Sequence, residues 1–311
     1  PLYPPRDTVK HMSESDFLFE HVTIIGTGLI GGSLGMDLRA RGLAGEVVGV
    51  GRRQVSIDRA MDAGACDSVT LDTREGVSGA DLVVLATPIS ALQKVLPPVV
   101  EAAPPGCLLM DVASSKQDVI ETVRAAMDGR DDLHYLSTHP MAGSEKTGPT
   151  AARKGLFEDC MCIFTPLAQT PEELVTRLET LWERLGAEVV HMTPDRHDRL
   201  VARISHVPHL VAAALVEGSD REDLWYAGGG LMDTTRVASS DPDLWCDIYD
   251  SNREAVCRAL DEHIGLMRRM REMIDDGNFE ALHELLDRAR RKRDDLMAER
   301  AEFNKKRKEA P

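Results

Sequence analysis

The chain has 311 residues, 42% of them hydrophobic and 29% charged, which is typical of a globular protein and long enough to predict two domains. Its net charge of −15 argues against a nucleic-acid partner, because phosphate groups bind cationic surfaces. No apolar run is expected to approach the ~20 residues that span a bilayer, so no membrane partner is predicted.

The six cysteines are scattered and form no C-x-x-C motif. This distribution predicts a reduced, cytoplasmic protein without a disulfide framework. Cys160 and Cys162 are close enough in sequence to suggest a metal, but two isolated thiols make a weak case, and we predict no metal site. Residues 1–20 contain three prolines and mixed charge, and lack the apolar core of a signal peptide, so we expect a flexible leader.

Strands and helices alternate through the first two thirds of the chain. The predicted strands are 22–25, 47–50, 81–88, 107–112, 134–137, 161–165 and 189–192. The predicted helices are 30–41, 55–63, 89–100, 116–127 and 171–185. Continuous apolar strands separated by helices indicate a parallel sheet covered on both faces. We therefore predict a Rossmann-like, doubly wound domain over residues 21–193.

Helical periodicity dominates after Thr193. We expect one long helix over 197–217 with a kink at Pro208, and amphipathic helices over 243–275 and 279–301. This all-helical domain, residues 194–311, would leave an apolar stripe that a small bundle hardly buries, so we predict a homodimer formed through it. The tail from 288 to 308 holds ten Lys or Arg against four Asp or Glu, and we interpret it as a solvated final helix.

A glycine motif follows the first predicted strand. Residues 22–35 read V-T-I-I-G-T-G-L-I-G-G-S-L-G, which is a strand, a G-x-G-x-x-G turn and a helix of small residues. Gly26 permits a tight turn, Gly28 a close approach to a pyrophosphate, and Gly31 close helix–strand packing. The predicted dinucleotide-binding residues here and after the third predicted strand are Gly26, Thr27, Gly28, Leu29, Ile30, Gly31, Thr87 and Pro88.

The residues at the end of the second predicted strand indicate whether NAD or NADP is preferred. Proteins of this type that prefer NAD usually carry Asp or Glu there, to accept the ribose hydroxyls. This chain has Arg52, Arg53 and Ser56 instead, with no carboxylate from 51 to 57. Because arginines pair with phosphate groups, NADP is favoured. The alternative is that the arginines are surface cations and that NAD is accepted.

Four further segments combine polar residues. They are D-V-A-S-S-K at 111–116, S-T-H-P-M-A-G-S-E-K-T-G-P at 137–149, I-S-H-V-P-H-L at 204–210 and the glycine-rich G-G-G-L-M-D-T-T-R-V-A-S-S-D-P-D-L-W at 228–245. Taken singly, each has a structural explanation. Ser114 could cap a helix, and Arg236 could form a surface ion pair. Together they offer a base, hydroxyl partners and a guanidinium for a carboxylate.

These motifs, with G-T-G-L-I-G-G-S-L, resemble those of the prephenate/arogenate dehydrogenases of tyrosine biosynthesis, from about Val22 to about Asn252. The resemblance implies that His139, at the head of a loop, is the catalytic histidine and that Ser114 is its hydrogen-bond partner. It implies a substrate-binding set of Ser205, His209, Arg236, Ser144, Glu145, His197 and Trp245. Arg203, close to that set, is expected to face solvent.

The implied reaction is an oxidative decarboxylation. A neutral histidine, whose ordinary pKa is ~6.5, can accept the ring hydroxyl proton while hydride leaves C4 for NAD(P). The substrate is prephenate or arogenate, with a slight preference for prephenate. Two alternatives remain: another Rossmann dehydrogenase of the β-hydroxyacid type, and a dinucleotide-binding regulator without catalysis.

Overall fold

A computed structural model describes residues 17–143 and 148–309. They divide into two compact units. Unit 1 comprises the described residues up to Ala113 and from Ile120 to His191. Unit 2 comprises Ser114–Val119 and the described residues from Met192 onward. The sequence pattern contains no sign that the short segment Ser114–Val119 groups with the helical unit.

Unit 1 is built on an eight-stranded sheet with the strand order β3-β2-β1-β4-β5-β6-β7-β8. Its strands are β1 (Phe19–Ile25), β2 (Ala44–Val50), β3 (Ser68–Thr70), β4 (Leu82–Leu85), β5 (Leu108–Asp111), β6 (His134–Pro140), β7 (Met161–Thr165) and β8 (Glu188–His191). Its helices are α1 (Leu29–Ala40), α2 (Gln54–Asp62), α3 (Thr73–Val77), α4 (Leu92–Ala102), α5 (Gln117–Ala126), whose first residues belong to unit 2, and α6 (Glu172–Arg184). The strand order reverses between β1 and β4, which confirms the doubly wound, Rossmann-like fold.

Three details differ from the sequence-based expectation. β3 and α3 were not predicted, because they are short and weakly apolar. The final residues of the expected leader begin β1 at Phe19, while residues 1–16 lie outside the described part of the chain. β7 runs antiparallel to β6. A parallel return needs a long crossover, usually a helix; the described part of the β6–β7 connection contains just one short 3₁₀ turn, Pro149–Ala151.

The core of unit 1 consists of apolar side chains from the sheet and the helices on it. Val22, Ile24, Val84, Leu108 and Met110 are fully buried within one continuous cluster. These residues come from central parallel strands, which are apolar on both faces because helices cover both. The sheet is therefore a rigid base for groups at its strand ends.

Unit 2 is helical. Its helices are α7 (Pro194–Val201), α8 (Val207–Glu217), α9 (Arg221–Leu224), α10 (Gly229–Thr235), α11 (Pro242–Ser251), α12 (Arg253–Asp275) and α13 (Phe279–Glu309). A turn of π-helix, Ala202–His206, joins α7 to α8. Pro208 explains it, since proline has no N–H and its ring crowds the carbonyl four residues earlier. The wider π turn accommodates the expected kink without ending the helix.

The helix predicted over 243–275 is two helices, α11 and α12, separated at Asn252. The Asn252 side chain is buried and donates to the Asp198 carbonyl, 2.9 Å away. A long-range bond of this kind has no local sequence signal. A small apolar cluster that includes Ala202, Val207 and Val256 packs α12 against the π turn and α8.

Among the described residues, one helical stretch, Pro194–Glu217, has the length and composition to cross a membrane. In the most apolar part of this stretch, 28% is buried. The expectation that no run reaches this length is therefore corrected. A core helix of a soluble protein meets the same criterion, so the stretch is weak support for a membrane span.

Candidate active site

The carboxyl ends of four parallel strands in unit 1 lie side by side. Ile25, Leu85, Asp111 and Ser137 form one row, each paired in register with the next across β1, β4, β5 and β6. The glycine turn begins one residue beyond this row. His139 lies two residues beyond it, on the same edge of the sheet. Ligands of doubly wound folds bind at this edge, near the point where the strand order reverses.

His139 lies on β6, in register with Ile163 of β7, and not in the loop that was predicted to hold it. The preceding strand positions are tied to β5: Thr138 Oγ1 donates to the Asp111 carbonyl over 2.6 Å, and Tyr135 Oη donates to Asp111 Oδ2 over 2.6 Å. Burial and the neighbouring Asp111 carboxylate raise the pKa of Tyr135 well above its ordinary value. The backbone that carries His139 is therefore fixed by a buried polar network.

The glycine turn has the geometry of a dinucleotide cradle. Gly26 has a φ of +99°, and a side chain there would lie 2.5 Å from the Ala86 carbonyl oxygen. A Cβ on Gly31 would lie 2.1 Å from the Gly26 carbonyl oxygen. Gly28 is the N-cap of α1, and a Cβ on it would have no atom within 4 Å, so space remains beside its backbone. The positive end of α1 faces that space.

Thr87 follows β4 at the same edge of the sheet. Its Oγ1 is buried and has no hydrogen-bond partner among the described residues. A buried hydroxyl without a partner is costly, and a bound polar ligand would supply one. The residues present therefore fit a dinucleotide.

Arg52 and Arg53 are exposed between β2 and α2, and Arg53 is the N-cap of α2. In the described part of the chain, neither guanidinium is engaged in an ion pair or hydrogen bond. Other arginines of unit 1 are paired, such as Arg39 with Asp67 at 2.8 Å. Ser56, half-buried on α2, lies in the first turn after these arginines.

In unit 2, four of the predicted substrate-binding residues come together. The His209 and Trp245 rings stack with their centroids 3.6 Å apart. His209 Nδ1 donates a hydrogen bond to the Ser205 carbonyl oxygen, 2.9 Å away. Burial, together with the nearby positive charge of Arg236, lowers the pKa of His209. The ring is therefore held neutral and in one orientation.

His206 lies behind this group. Its ring meets Trp245 edge-on at 5.9 Å, and burial lowers its pKa to about 4. Asn252 Nδ2 lies 3.3 Å from His206 Nδ1. An amide nitrogen only donates, so Nδ1 is the acceptor and the buried ring is neutral.

Two other predicted residues lie in the polar interior of unit 2. His197 is fully buried, with its Nδ1 2.8 Å from Asp198 Oδ1. Ser114 is half-buried, in the segment that groups with this unit, and its hydroxyl forms no hydrogen bond with the described residues. Ser144 and Glu145 lie outside the described residues. Arg203 faces solvent as expected, paired with Glu262 at 2.9 Å.

Sequence reasoning did not select Asp198 or Asn252. Both are buried and polar, and both contact residues distant in sequence. Asp198 adjoins a predicted site histidine, but aspartate is common in the first turns of helices, so no usable signal was present.

Known proteins resemble this chain in both units. Residues 34–191 match the family model for the prephenate dehydrogenase nucleotide-binding domain, and residues 193–288 match that for the prephenate dehydrogenase dimerisation domain. The cyclohexadienyl dehydrogenase of Zymomonas mobilis is 33% identical, over 84% of this chain and 92% of its own length. The prephenate dehydrogenase of Bacillus subtilis is 32% identical, over 88% and 76%.

A crystal structure of prephenate dehydrogenase from A. aeolicus, in complex with hydroxyphenyl propionate and NAD⁺, superposes with a TM-score of 0.82. The two sequences are 30% identical, and the match covers 89% of this chain and 98% of that one. Fold, glycine turn and sheet-edge histidine define an oxidoreductase that uses a pyridine nucleotide. The chain belongs to the prephenate dehydrogenase family. This membership decides against both the β-hydroxyacid dehydrogenase and the non-catalytic regulator.

Proposed function

We propose that this dehydrogenase uses His139 as the base that accepts the proton of the substrate's ring C4 hydroxyl. The observation that carries the proposal is the position of His139 on the same sheet edge as the glycine turn. Ser114, whose hydroxyl has no hydrogen-bond partner among the described residues, is proposed as the group that orients this imidazole during the reaction. A neutral histidine suits this role near neutral pH, and orienting it with a second group is the usual arrangement for a general base.

Unit 2 binds the substrate through Arg236, His209, Ser205 and Trp245, aided by Ser144 and Glu145. The planar guanidinium of Arg236 pairs with a substrate carboxylate through two parallel hydrogen bonds. The stacked ring of His209 has its Nδ1 committed to the Ser205 carbonyl, so its Nε2 accepts a hydrogen bond. His197, also predicted to bind the substrate, is fully buried beside Asp198.

The dinucleotide is held by Gly26, Thr27, Gly28, Leu29, Ile30, Gly31, Thr87 and Pro88. A dinucleotide held there would supply the acceptor for the hydride from ring C4, and loss of CO₂ would then make the ring aromatic. The protein contributes the base, the carboxylate clamp and the placement of both reactants.

We propose that NADP is the preferred cofactor. Arg52 and Arg53 have no ion-pair partner among the described residues and flank a strand end without a carboxylate, and Ser56 adds a hydroxyl. An acidic residue there would repel a 2′-phosphate, whereas two arginines attract it. The A. aeolicus relative was crystallised with NAD⁺, which supports a pyridine nucleotide but not NADP in particular.

Prephenate is the proposed substrate, with arogenate as the alternative. The two differ by a keto or an amino group on the side chain. The Bacillus relative is named a prephenate dehydrogenase and the Zymomonas relative a cyclohexadienyl dehydrogenase, so the first of these names supports prephenate. Arg236 would bind a carboxylate of either, so the side-chain group decides the choice.

We further propose a cytoplasmic homodimer, with residues 21–193 binding the dinucleotide and 194–311 forming the dimer. Unit 2 matches a dimerisation domain, and Trp225, Tyr226 and Met232 are largely exposed within it. Pairing of two copies would bury such side chains. The relatives are metabolic enzymes, which is consistent with the cytoplasmic location predicted from the cysteines.

Initial rates of dinucleotide reduction test this function, with prephenate and arogenate each combined with NAD and NADP. We expect the highest kcat/KM for prephenate with NADP. A higher kcat/KM with NAD would overturn the cofactor proposal, and a higher one with arogenate the substrate proposal. Absence of reduction in all four combinations, by protein that binds dinucleotide, would contradict the function itself.

A further inference from the structure

The segment that carries Ser114 is bound to unit 2 by a side chain far away in sequence. Asp198 of α7 accepts two hydrogen bonds from consecutive backbone N–H groups: Lys116 donates to Oδ1 over 2.8 Å and Gln117 to Oδ2 over 2.9 Å. These two N–H groups lie at the start of α5. Such groups ordinarily donate to the side chain of a nearby residue that caps the helix. The cap of this helix is thus supplied from another part of unit 2.

A second anchor lies next to the first. Ser115 is fully buried, and its Oγ donates to Ser251 Oγ over 2.8 Å. Ser251 Oγ in turn donates to the Ile248 carbonyl on the same helix, α11. Ser114 is therefore followed by three residues in a row that are each bonded to α7 or α11.

Asp198 is itself held firmly. Its side chain is 1% exposed, His197 Nδ1 lies 2.8 Å from Oδ1, and its carbonyl accepts from Asn252. Burial by itself would raise the pKa of Asp198, but the hydrogen bonds from His197 and from Gln117 and Lys116 hold that pKa below its usual range. A buried carboxylate with this many donors has one orientation available.

The same helices carry the proposed substrate-binding residues. α7 continues through the π turn, which holds Ser205, into α8, which holds His209; α11 holds Trp245. Within unit 2, the anchors of the Ser114 segment and the substrate-binding residues thus share one framework. Ser114 does not form these bonds itself, and its hydroxyl has no partner among the residues described.

We propose that Asp198 is a positioning residue of the dehydrogenase reaction, which fixes Ser114 relative to the substrate-binding residues of unit 2 by holding the N–H groups of Lys116 and Gln117. The proposal rests on the function proposed above for Ser114. Asp198 does not contact the reacting atoms. It acts through the backbone of the segment, so its loss displaces the Ser114 hydroxyl relative to the substrate-binding residues of unit 2.

The first variant is Asp198→Asn, which keeps the shape but replaces one acceptor oxygen by a donor. We expect kcat to fall by about 10- to 100-fold, the scale on which misplacement of a reacting group by ~1 Å is felt. The dissociation constant of the dinucleotide is expected to stay unchanged. The matched control is Asp81→Asn, because Asp81 also accepts two consecutive backbone N–H groups, from Glu20 and His21, at the opposite edge of the sheet. It should keep the wild-type kcat.

A double-mutant cycle with Ser114→Ala separates positioning from general damage. If Asp198 acts through Ser114, adding Asp198→Asn to Ser114→Ala changes kcat by less than about twofold. If the double variant instead lowers kcat by the product of the two single-variant effects, the proposal is overturned. Wild-type kcat in Ser114→Ala would instead show that the proposed function of Ser114 is wrong, and the positioning role would fall with it.

Thermal unfolding shows whether Asp198→Asn is folded at the assay temperature. If it is not, Ser251→Ala removes the second anchor with a smaller change, and the same cycle applies. The proposal is supported if Ser251→Ala lowers kcat by itself but lowers it no further when it is added to Ser114→Ala. An unchanged kcat in folded Ser251→Ala and folded Asp198→Asn contradicts it.

Discussion

The His209 imidazole stacks on the Trp245 indole, with centroids 3.6 Å apart and an interplanar angle of 28°. Stacking on a large ring fixes the plane of His209, and its bond to the Ser205 carbonyl fixes rotation within that plane. Two helices separated in sequence thereby present one rigid polar group. Burial and the positive charge of Arg236 lower the pKa of His209. Arg236 completes the surface on which we place the substrate.

Arg236→Ala should raise the KM for prephenate by about 10- to 100-fold, because a hydrogen bond between charged groups is worth ~1.5–3 kcal/mol. Steady-state kinetics at saturating dinucleotide measure this. Arg203→Ala is the matched control, since Arg203 is 58% exposed and pairs with Glu262 at the surface. Equal KM values for the two variants would remove Arg236 from the substrate site.

His139→Asn should lower kcat by at least ~10²-fold, the lower range for loss of a general base. Folding should be unaffected, because the side chain is half-buried and Asn is smaller. His134→Asn, at the other end of β6, should keep the wild-type kcat. Wild-type turnover in His139→Asn would refute the assignment of the base.

Two glycine substitutions should separate binding from folding. Gly28→Ala should leave the melting temperature near that of the wild type, because no atom lies within 4 Å of the added Cβ, yet weaken dinucleotide binding. Gly31→Ala should lower the melting temperature, because its Cβ would lie 2.1 Å from the Gly26 carbonyl oxygen. Titration calorimetry and thermal unfolding measure the two effects. Normal dinucleotide affinity in Gly28→Ala would contradict the cradle.

Replacing Arg52 and Arg53 together, as Arg52→Asp with Arg53→Ala, should shift the ratio of kcat/KM for NADP over NAD by at least ~10-fold towards NAD. The aspartate repels the 2′-phosphate and accepts the ribose hydroxyls. Arg39→Ala, which breaks an existing ion pair with Asp67 at 2.8 Å, is the control and should leave the ratio unchanged. If the ratio of kcat/KM for NADP over NAD is the same in the double variant and the wild type, neither arginine distinguishes the 2′-phosphate from the 2′-hydroxyl.

Acid should destabilise the protein through His206. Its pKa is about 4 in the folded protein and ~6.5 in the unfolded chain, so the unfolded state binds more protons between these values. Stability is therefore fully present above about pH 6.5 and is lost as the pH falls towards 4, with a loss of about 2 kcal/mol between about pH 7 and 5.

Urea unfolding of the wild type and of His206→Asn at both pH values measures the contribution of this one histidine. Asn offers an acceptor for Asn252 but cannot be protonated, so the variant should lose less stability on acidification. The same pH dependence in both proteins would show that His206 is not responsible.

The glycine turn illustrates what local sequence predicts well. A strand, three glycines and a helix of small residues lie within fourteen consecutive positions. Gly26 and Gly31 have steric reasons, against Ala86 and Gly26 respectively, whereas Gly28 leaves open space beside its backbone. Strands β4 and β5 were equally clear, because central parallel strands are apolar on both faces. His139 was placed on a loop instead of β6, because the pairing of β6 with β7 that extends the strand is not local.

Local sequence patterns were enough to predict the alternation of strands and helices, the dinucleotide motif and, through five ordered motifs, the family. These are short-range patterns, set by backbone sterics and apolar periodicity. Long-range contacts in the folded chain were needed to show that α11 ends just before Asn252, that Ser114 belongs with the helical unit, and that Asp198 caps α5 from some eighty residues away. A buried hydrogen bond forms between groups that the tertiary structure brings together. Such pairs of residues show no periodic pattern along the sequence.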